Sequence, residues 1–371
     1  MVGLYVHVPF CASRCGYCDF TSQVYDAAAA SRYLKALGEE AAAARATVGP
    51  QEADTLYFGG GTPTTLGAKD LTRLLGTVHR TFRPTADAEV TCEANPESAT
   101  AAVLAALRRG GVNRLSLGVQ SLDDRLLRAI GRRHDAAGAE AAARRARAAG
   151  FANVSLDLIY GLPAQTVEQW RGDLGRALAL EPDHVSLYAL TLEPHVPLAR
   201  AGTPLPGDDA LADMYYAAAD ELTTAGFVHY EISNFARPGR ECRHNLKYWR
   251  DDDYLAFGPA AAAHWRGSRH KNPPALDAYC VAAGRGAWPL TEVEPSDPAR
   301  EMRTAMVLGL RLLAGVDAPA FRARFGVDPR EHYAAELRDL AAAGLVEVAG
   351  DTVRLSRRGL FLSDEVFARL I

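Results

Sequence analysis

"LYVHVPFCASRCGYCDF" covers residues 4–20, and its two halves set the reading of the whole chain. Leu4 to Val8 is a short apolar, β-rich run that reads as a strand. Its C-terminal end leads into three cysteines within eight residues, Cys11, Cys15 and Cys18, with Phe20 two residues beyond the last. A strand that delivers three soft ligands at its exit is one unit of a larger pattern.

Moving outward, the same kind of run recurs as "DTLYF" (54–58), "EVTCEA" (89–94), "RLSLGV" (114–119), "NVSLDLI" (153–159) and "HVSLYAL" (184–190). Segments of helical period lie between them, at 33–46, 71–82, 101–111 and 139–151, and several end in glycine as helix C-caps do. Strand–helix alternation of this kind predicts a parallel sheet with crossover helices. Six units suit an open barrel, three-quarters of an eight-fold one. The chemistry-bearing residues fall at the strand ends. The cysteines follow the first strand, "GGGTPT" (59–64) the second, Glu93 closes the third and Gln120 the fourth, and Asp157 lies late in the fifth. Barrel active sites are built from C-terminal strand ends, so this convergence predicts a ligand pocket there.

The chain divides by pattern into a barrel over 1–250, an irregular connecting segment over 251–298 with "KNPPALDAY" and "VEPSDPAR", and a terminal unit over 299–371. The last reads as helices plus a small hairpin around Gly350-Asp351, compatible with a winged-helix-like domain. Composition bounds the function classes. Across 371 residues, 48% are hydrophobic and 23% charged, the balance of a globular protein with a sizeable core. A net charge of -4 argues against nucleic acid as a partner. No apolar stretch approaches the ~18 residues of a membrane span. The early first strand leaves no room for a signal peptide, so a reducing cytoplasm is expected. Cys92, Cys242 and Cys280 are isolated and read as small core residues.

Clustered thiols in such a setting bind metal. Zinc would need a fourth ligand, for which His7 or Asp19 is at hand. An iron–sulfur cube held by three cysteines would instead leave one iron open to an outside ligand. "GGGTPT" is neither a P-loop nor a dinucleotide fingerprint, and its glycines allow close backbone approach. A lone Glu93 or a pair of tyrosines would ordinarily be an exposed acid and packed aromatics. "HNLKYW" (244–249) places His244 and Tyr248 on one helical face, ordinarily a helix start with aromatic anchors.

"CASRCGYC" resembles the signature of the radical S-adenosylmethionine (SAM) superfamily, in which SAM chelates the open iron of a 4Fe-4S cluster. Within it, residues 4–20 resemble the oxygen-independent coproporphyrinogen III oxidase family, with its HemN and HemW branches, and the similarity runs nearly the length of the chain. The resemblance implies an α/β fold, a partial (βα)6 TIM-type radical SAM barrel with a small winged-helix-like C-terminal domain. It implies the cluster on Cys11, Cys15 and Cys18. It further implies SAM at Tyr5, Tyr17, Gly60, Gly61, Thr62 and Glu93, and Gln120, Arg132 and Asp157 at the positions of a second SAM, with one or two molecules left open. HemN carries a further cysteine where Phe20 stands, and "HNLKYW" resembles the HNxxYW motif of the HemW branch.

That branch implies a haem chaperone, with haem as cargo and haem-acceptor proteins as partners, membrane respiratory complexes among the candidates. His244, Tyr248 and Trp249 then form a candidate haem platform, with His244 as axial ligand and His7, His264 and His270 as rivals. The alternatives within the same family are a coproporphyrinogen dehydrogenase of porphyrin biosynthesis and a HemN-like methyltransferase. Whether the chain is an enzyme stays open. After "DYLAFG" (253–258) the chain departs from the family's usual Gly-Ala-His segment, reading "PAAAAHW" (259–265).

Overall fold

The structure is a computed structural model that describes residues 1–371. The six strands expected from sequence form and pair in parallel in chain order: β1 (Val2–Val8), β2 (Glu52–Gly60), β3 (Arg83–Ala94), β4 (Arg114–Gln120), β5 (Val154–Tyr160) and β6 (His184–Ala189). β1, β4 and β5 are nearly uniformly buried, because crossover helices cover one face and the barrel interior the other. The expected helices are there as α1 (Ala27–Val48), α2 (Gly67–Thr81), α3 (Ala101–Arg109) and α4 (Ala136–Ala148). Asp26 starts α1 by accepting the Ala29 amide at 2.8 Å, and Asp135 starts α4 by accepting that of Gly138 at 2.7 Å. Such caps satisfy amides that have no partner inside the helix.

Six further strands extend the sheet. After β6 come β7 (Val228–Glu231) and β8 (Asn234–Ala236), both antiparallel additions. On the other flank β9 (Tyr254–Phe257) pairs in parallel with β1, and β10 (Ala262–Trp265), β11 (Ser268–Lys271) and β12 (Glu292–Glu294) follow antiparallel. The full order is β12-β11-β10-β9-β1-β2-β3-β4-β5-β6-β8-β7. Residues 251–298 are therefore not an irregular connector, and that expectation is corrected. Their strands are three or four residues long and carry histidine, arginine and lysine, so no apolar alternation shows. The hairpin between β10 and β11 turns on Arg266 and Gly267, both at positive φ, without an Asn-Gly or Asp-Gly signal.

The C-terminal unit is small. Helices Pro298–Leu310, Ala318–Phe325 and Ala334–Ala342 pack with a three-stranded sheet whose hairpin, Val346–Ala349 with Thr352–Leu355, turns at Gly350 as read from sequence. One apolar core runs from the barrel strands into these helices. A buried carboxylate ties the two further. Asp251 lies within 2.8 Å of Arg324 from the C-terminal unit, 3.1 Å of Arg269 on β11 and 3.5 Å of His264 on β10. His264, on the segment that departs from the family pattern, is thus turned to Asp251. Of the isolated cysteines, Cys92 and Cys242 are buried, whereas Cys280 is partly exposed.

Candidate functional site

The cysteine loop leaves β1 and is tethered on three sides. Phe10-Cys11 pairs with Gln23-Val24, the Gly16 amide donates to the Ile130 carbonyl at 3.1 Å, and the Gly16 carbonyl accepts from Leu198 at 3.0 Å. Cys11, Cys15 and Cys18 are unpaired and half-buried. All three line one cavity of about 390 Å³ at the C-terminal strand ends, together with Tyr17, Gly60, Gly61, Thr62, Glu93, Gln120, Arg132 and Asp157. The structure thus brings together every sequence-named residue of the cluster and SAM set except Tyr5. Tyr5 lies behind that wall, with its ring 6.2 Å from that of Tyr57 and its hydroxyl donating to His7 Nδ1 at 3.1 Å.

The three glycines of "GGGTPT" are explained by packing. A Cβ on Gly59 would lie 2.9 Å from the Glu93 carboxyl, one on Gly60 would lie 2.6 Å from the His7 ring, and one on Gly61 would lie 2.6 Å from the Phe10 carbonyl oxygen. Gly60 also has φ 106, a conformation glycine adopts without strain. This close approach lets β2 and the cysteine loop meet, and it aims the Gly60 amide at Glu93 Oε2, 3.2 Å away. The Tyr57 hydroxyl donates to Glu93 Oε1 at 2.7 Å. Burial pushes the Glu93 carboxyl up to about 7, with the Asp157 charge adding to the rise and the two donors opposing it. A ligand that offered hydroxyl donors would favour its ionised form.

Asp157 accepts from Ser116 Oγ at 2.9 and 3.0 Å, and burial again raises its carboxyl. Gln120 ends β4 at φ 66, a left-handed conformation uncommon outside glycine, next to a register shift in the β4–β5 pairing. Burial raises Tyr17, with Arg132 opposing. Arg132 is anchored to protein on both terminal nitrogens. Nη2 donates to Asn95 Oδ1 and to the Gly118 carbonyl, each at 2.7 Å, and Nη1 donates to Cys15 Sγ at 3.6 Å. Asn95, Gly118, Ser116 and Arg114, none of them singled out by sequence, share the cavity wall. Asn95 stood just past the end of the third strand in "EANP", where its place was legible though its partners were not.

The donor set fits an iron–sulfur cluster better than zinc. Of the two candidate fourth ligands, His7 has both ring nitrogens engaged, Nε2 donating to the Thr21 carbonyl at 2.7 Å. Asp19 is paired with His195 at 2.6 Å. His7 is thus spent, Asp19 sits in an exposed ion pair, and no fourth ligand is set beside the thiols for a tetrahedron around one ion. Three thiols facing a cavity that continues to Glu93 and Gly60 leave room for an outside ligand beside them.

"HNLKYW" reaches the same cavity only through Asn245, at the end far from the cysteines. It forms α5 (Arg243–Trp249), whose first amides, Arg243 and His244, each donate to the Glu89 carboxylate at 3.1 Å. His244 is fully buried. Its Nδ1 bonds Thr55 Oγ1 at 2.9 Å, its Nε2 bonds the Tyr248 hydroxyl at 2.8 Å, and its ring stacks on Tyr57 at 5.3 Å. Burial holds it down at about 3, with Lys247 adding to the effect, so it is neutral. Arg114 begins β4, Thr55 lies in the first half of β2, and Lys247 of the helix pairs with Asp54 at 2.9 Å, so α5 closes the barrel on the N-terminal side of the strands, away from the cysteine loop. This arrangement argues against His244 as an axial ligand. The shared helical face exists, but it turns inward and both nitrogens are used. Trp249 is covered by the Arg311 guanidinium at 4.3 Å. His270 packs edge-on to Trp288.

Comparison with known proteins follows the same lines. The model of the radical SAM superfamily matches residues 5–176, and that of the HemN C-terminal domain matches residues 297–362. The chain is similar to the haem chaperone HemW of Bacillus subtilis (strain 168), at 35% identity over 100% of this chain and 99% of that protein. It is also similar to the haem chaperone HemW of Mycobacterium tuberculosis, at 38% identity over 100% of this chain and 94% of that one. Among solved structures it is similar to coproporphyrinogen III oxidase (HemN) from Escherichia coli. The TM-score is 0.88 and the identity 27%, over 100% of this chain and 89% of that one.

Proposed function

The chain belongs to the HemW family of the radical SAM superfamily, and from that premise we propose that it is a haem chaperone. It binds haem alongside a 4Fe-4S cluster and SAM, and it passes the haem to acceptor proteins, respiratory complexes among them. Full-length similarity to two haem chaperones is the observation that carries this reading. The residue beyond the cysteines supports it. Phe20, where the resemblance gives the oxidase a further cysteine, is 67% exposed at the cavity mouth, and Tyr188 beside the same cavity is 46% exposed. An apolar macrocycle finds exposed aromatic surface there, whereas His244 at the closed floor is fully buried.

Cys11, Cys15 and Cys18 would hold the cluster, which supplies an electron and an open iron for SAM when bound. Gly60 and Gly61 bring backbone close to the ligand, and Glu93 accepts from its hydroxyls. Gln120 and Asp157 line the far side, where Ser116 keeps Asp157 oriented, and Arg132 lies between them and Cys15. Glu93→Gln should weaken SAM binding about tenfold, since a hydrogen bond to a charged acceptor contributes about 1.5–3 kcal/mol. Equilibrium dialysis with labelled SAM measures it, with iron content unchanged. Wild-type affinity in that variant would take Glu93 out of the site.

The likeness to the oxidase structure favours one second reading, a coproporphyrinogen dehydrogenase. Anaerobically reconstituted protein separates the two in parallel assays. A saturable haem spectrum with no turnover of coproporphyrinogen, given SAM and reductant, is expected. Sustained production of protoporphyrinogen by pure protein would overturn the chaperone reading.

A further inference from the structure

Two of the three cluster cysteines receive a hydrogen bond from a side chain outside their loop. Thr62 Oγ donates to Cys11 Sγ and Arg132 Nη1 donates to Cys15 Sγ, each at 3.6 Å, a distance suited to the large sulfur atom. The two donors come from different elements, Thr62 from the turn after β2 and Arg132 from the segment after β4. One residue joins them. Asn95 Nδ2 donates to Thr62 Oγ at 3.0 Å, while Asn95 Oδ1 accepts from Arg132 Nη2 at 2.7 Å. The path Cys11–Thr62–Asn95–Arg132–Cys15 is thus a continuous arc beneath the loop. Gly118 leaves the space for it, since a Cβ there would lie 2.9 Å from Asn95 Oδ1 and 3.4 Å from Arg132 Nη2.

The directions of these bonds are fixed by chemistry. By accepting nothing on its amide nitrogen, Asn95 can fill the Thr62 oxygen only as donor, which leaves the Thr62 hydroxyl hydrogen for sulfur. Its amide oxygen holds the guanidinium plane so that Nη1 reaches Cys15. Donors to cluster sulfurs stabilise the electron-rich reduced state and raise its potential, and a charged donor does so more strongly.

We propose that Asn95 is a positioning residue that holds Thr62 and Arg132 against Cys11 and Cys15, and so raises the reduction potential of the cluster those cysteines carry. The inference rests on the cluster reading above.

The test uses the full chain, reconstituted anaerobically and titrated with a deazaflavin reductant, with the reduced cluster followed by electron paramagnetic resonance. Parent protein is read first. Bound zinc without sulfide would sink the cluster reading, and this inference with it, before any variant is made. With a clustered parent, Asn95→Ala should keep its iron and sulfide. At the parent's midpoint its reduced-to-oxidised ratio should fall about tenfold, a shift of about 59 mV to more negative potential for one electron. Thr62→Val, which removes one donor without changing charge, should shift the same way by less, and it decides the matter if the asparagine variant does not fold. Parent potential in both variants, with iron retained, would overturn the proposal. So would loss of iron in Asn95→Ala with parent iron and potential in Thr62→Val, since Asn95 would then only brace the loop.

Discussion

Cys15→Ser should take the iron content of reconstituted protein from about four atoms per chain to near zero, because a cube held by three thiolates has none to spare. Serine is nearly isosteric, so the loop keeps its tethers to Ile130 and Leu198, and the loss reports coordination and not folding. Its hydroxyl stays protonated at neutral pH and is a hard oxygen where iron–sulfur chemistry selects soft thiolate. Cys280→Ser is the matched control. That residue is on α-helix Leu276–Ala283, away from the cavity, and its replacement should leave iron and sulfide unchanged. Iron retained at the parent level in Cys15→Ser would remove Cys15 from the ligand set.

His244→Ala should lower unfolding free energy by about 3–5 kcal/mol, the range for a large buried side chain whose loss also strands polar partners. Thr55 Oγ1 and the Tyr248 hydroxyl would each lose a bond, and Tyr57 would lose the ring stacked on it. Denaturant unfolding measures this through the midpoint. The pH dependence has a definite sign. His244 is held down at about 3, below the ordinary histidine value of 6.5, so the unfolded chain binds its proton first. Its share of stability is present above about pH 6.5 and is lost as pH falls toward 3, a loss the alanine variant should lack. Haem titration of the folded variant should match wild type. A variant of undiminished stability that failed to bind haem would restore His244 as a ligand.

The six barrel strands were legible because each is a short apolar run bounded by glycine or polar turns, and strand ends are where this architecture gathers chemistry. That is why Cys11, Gly60, Glu93, Gln120 and Asp157 could be named together. What the sequence hid is the direction in which a side chain points. His244 and Tyr248 share a face in any helix, but nothing in six residues says that Glu89, over 150 positions away, holds the start of that helix against the barrel floor. Asn95 was equally silent, since its partners Thr62 and Arg132 meet it only once three strands have paired. The strands of 254–271 were missed because histidine, arginine and tryptophan occupy positions where alternation would have shown.

The floor made by α5 has a consequence for the order of events. A well sealed at its base by His244 and Thr55 exchanges nothing downward. A macrocycle lying across Phe20 and Tyr188 would cover the opening above Glu93. Loading would then be a stack, in which SAM goes in before haem and is held until haem has left. The state of the small cofactor would be locked for as long as the cargo is carried, and delivery of haem would be the event that reopens the well.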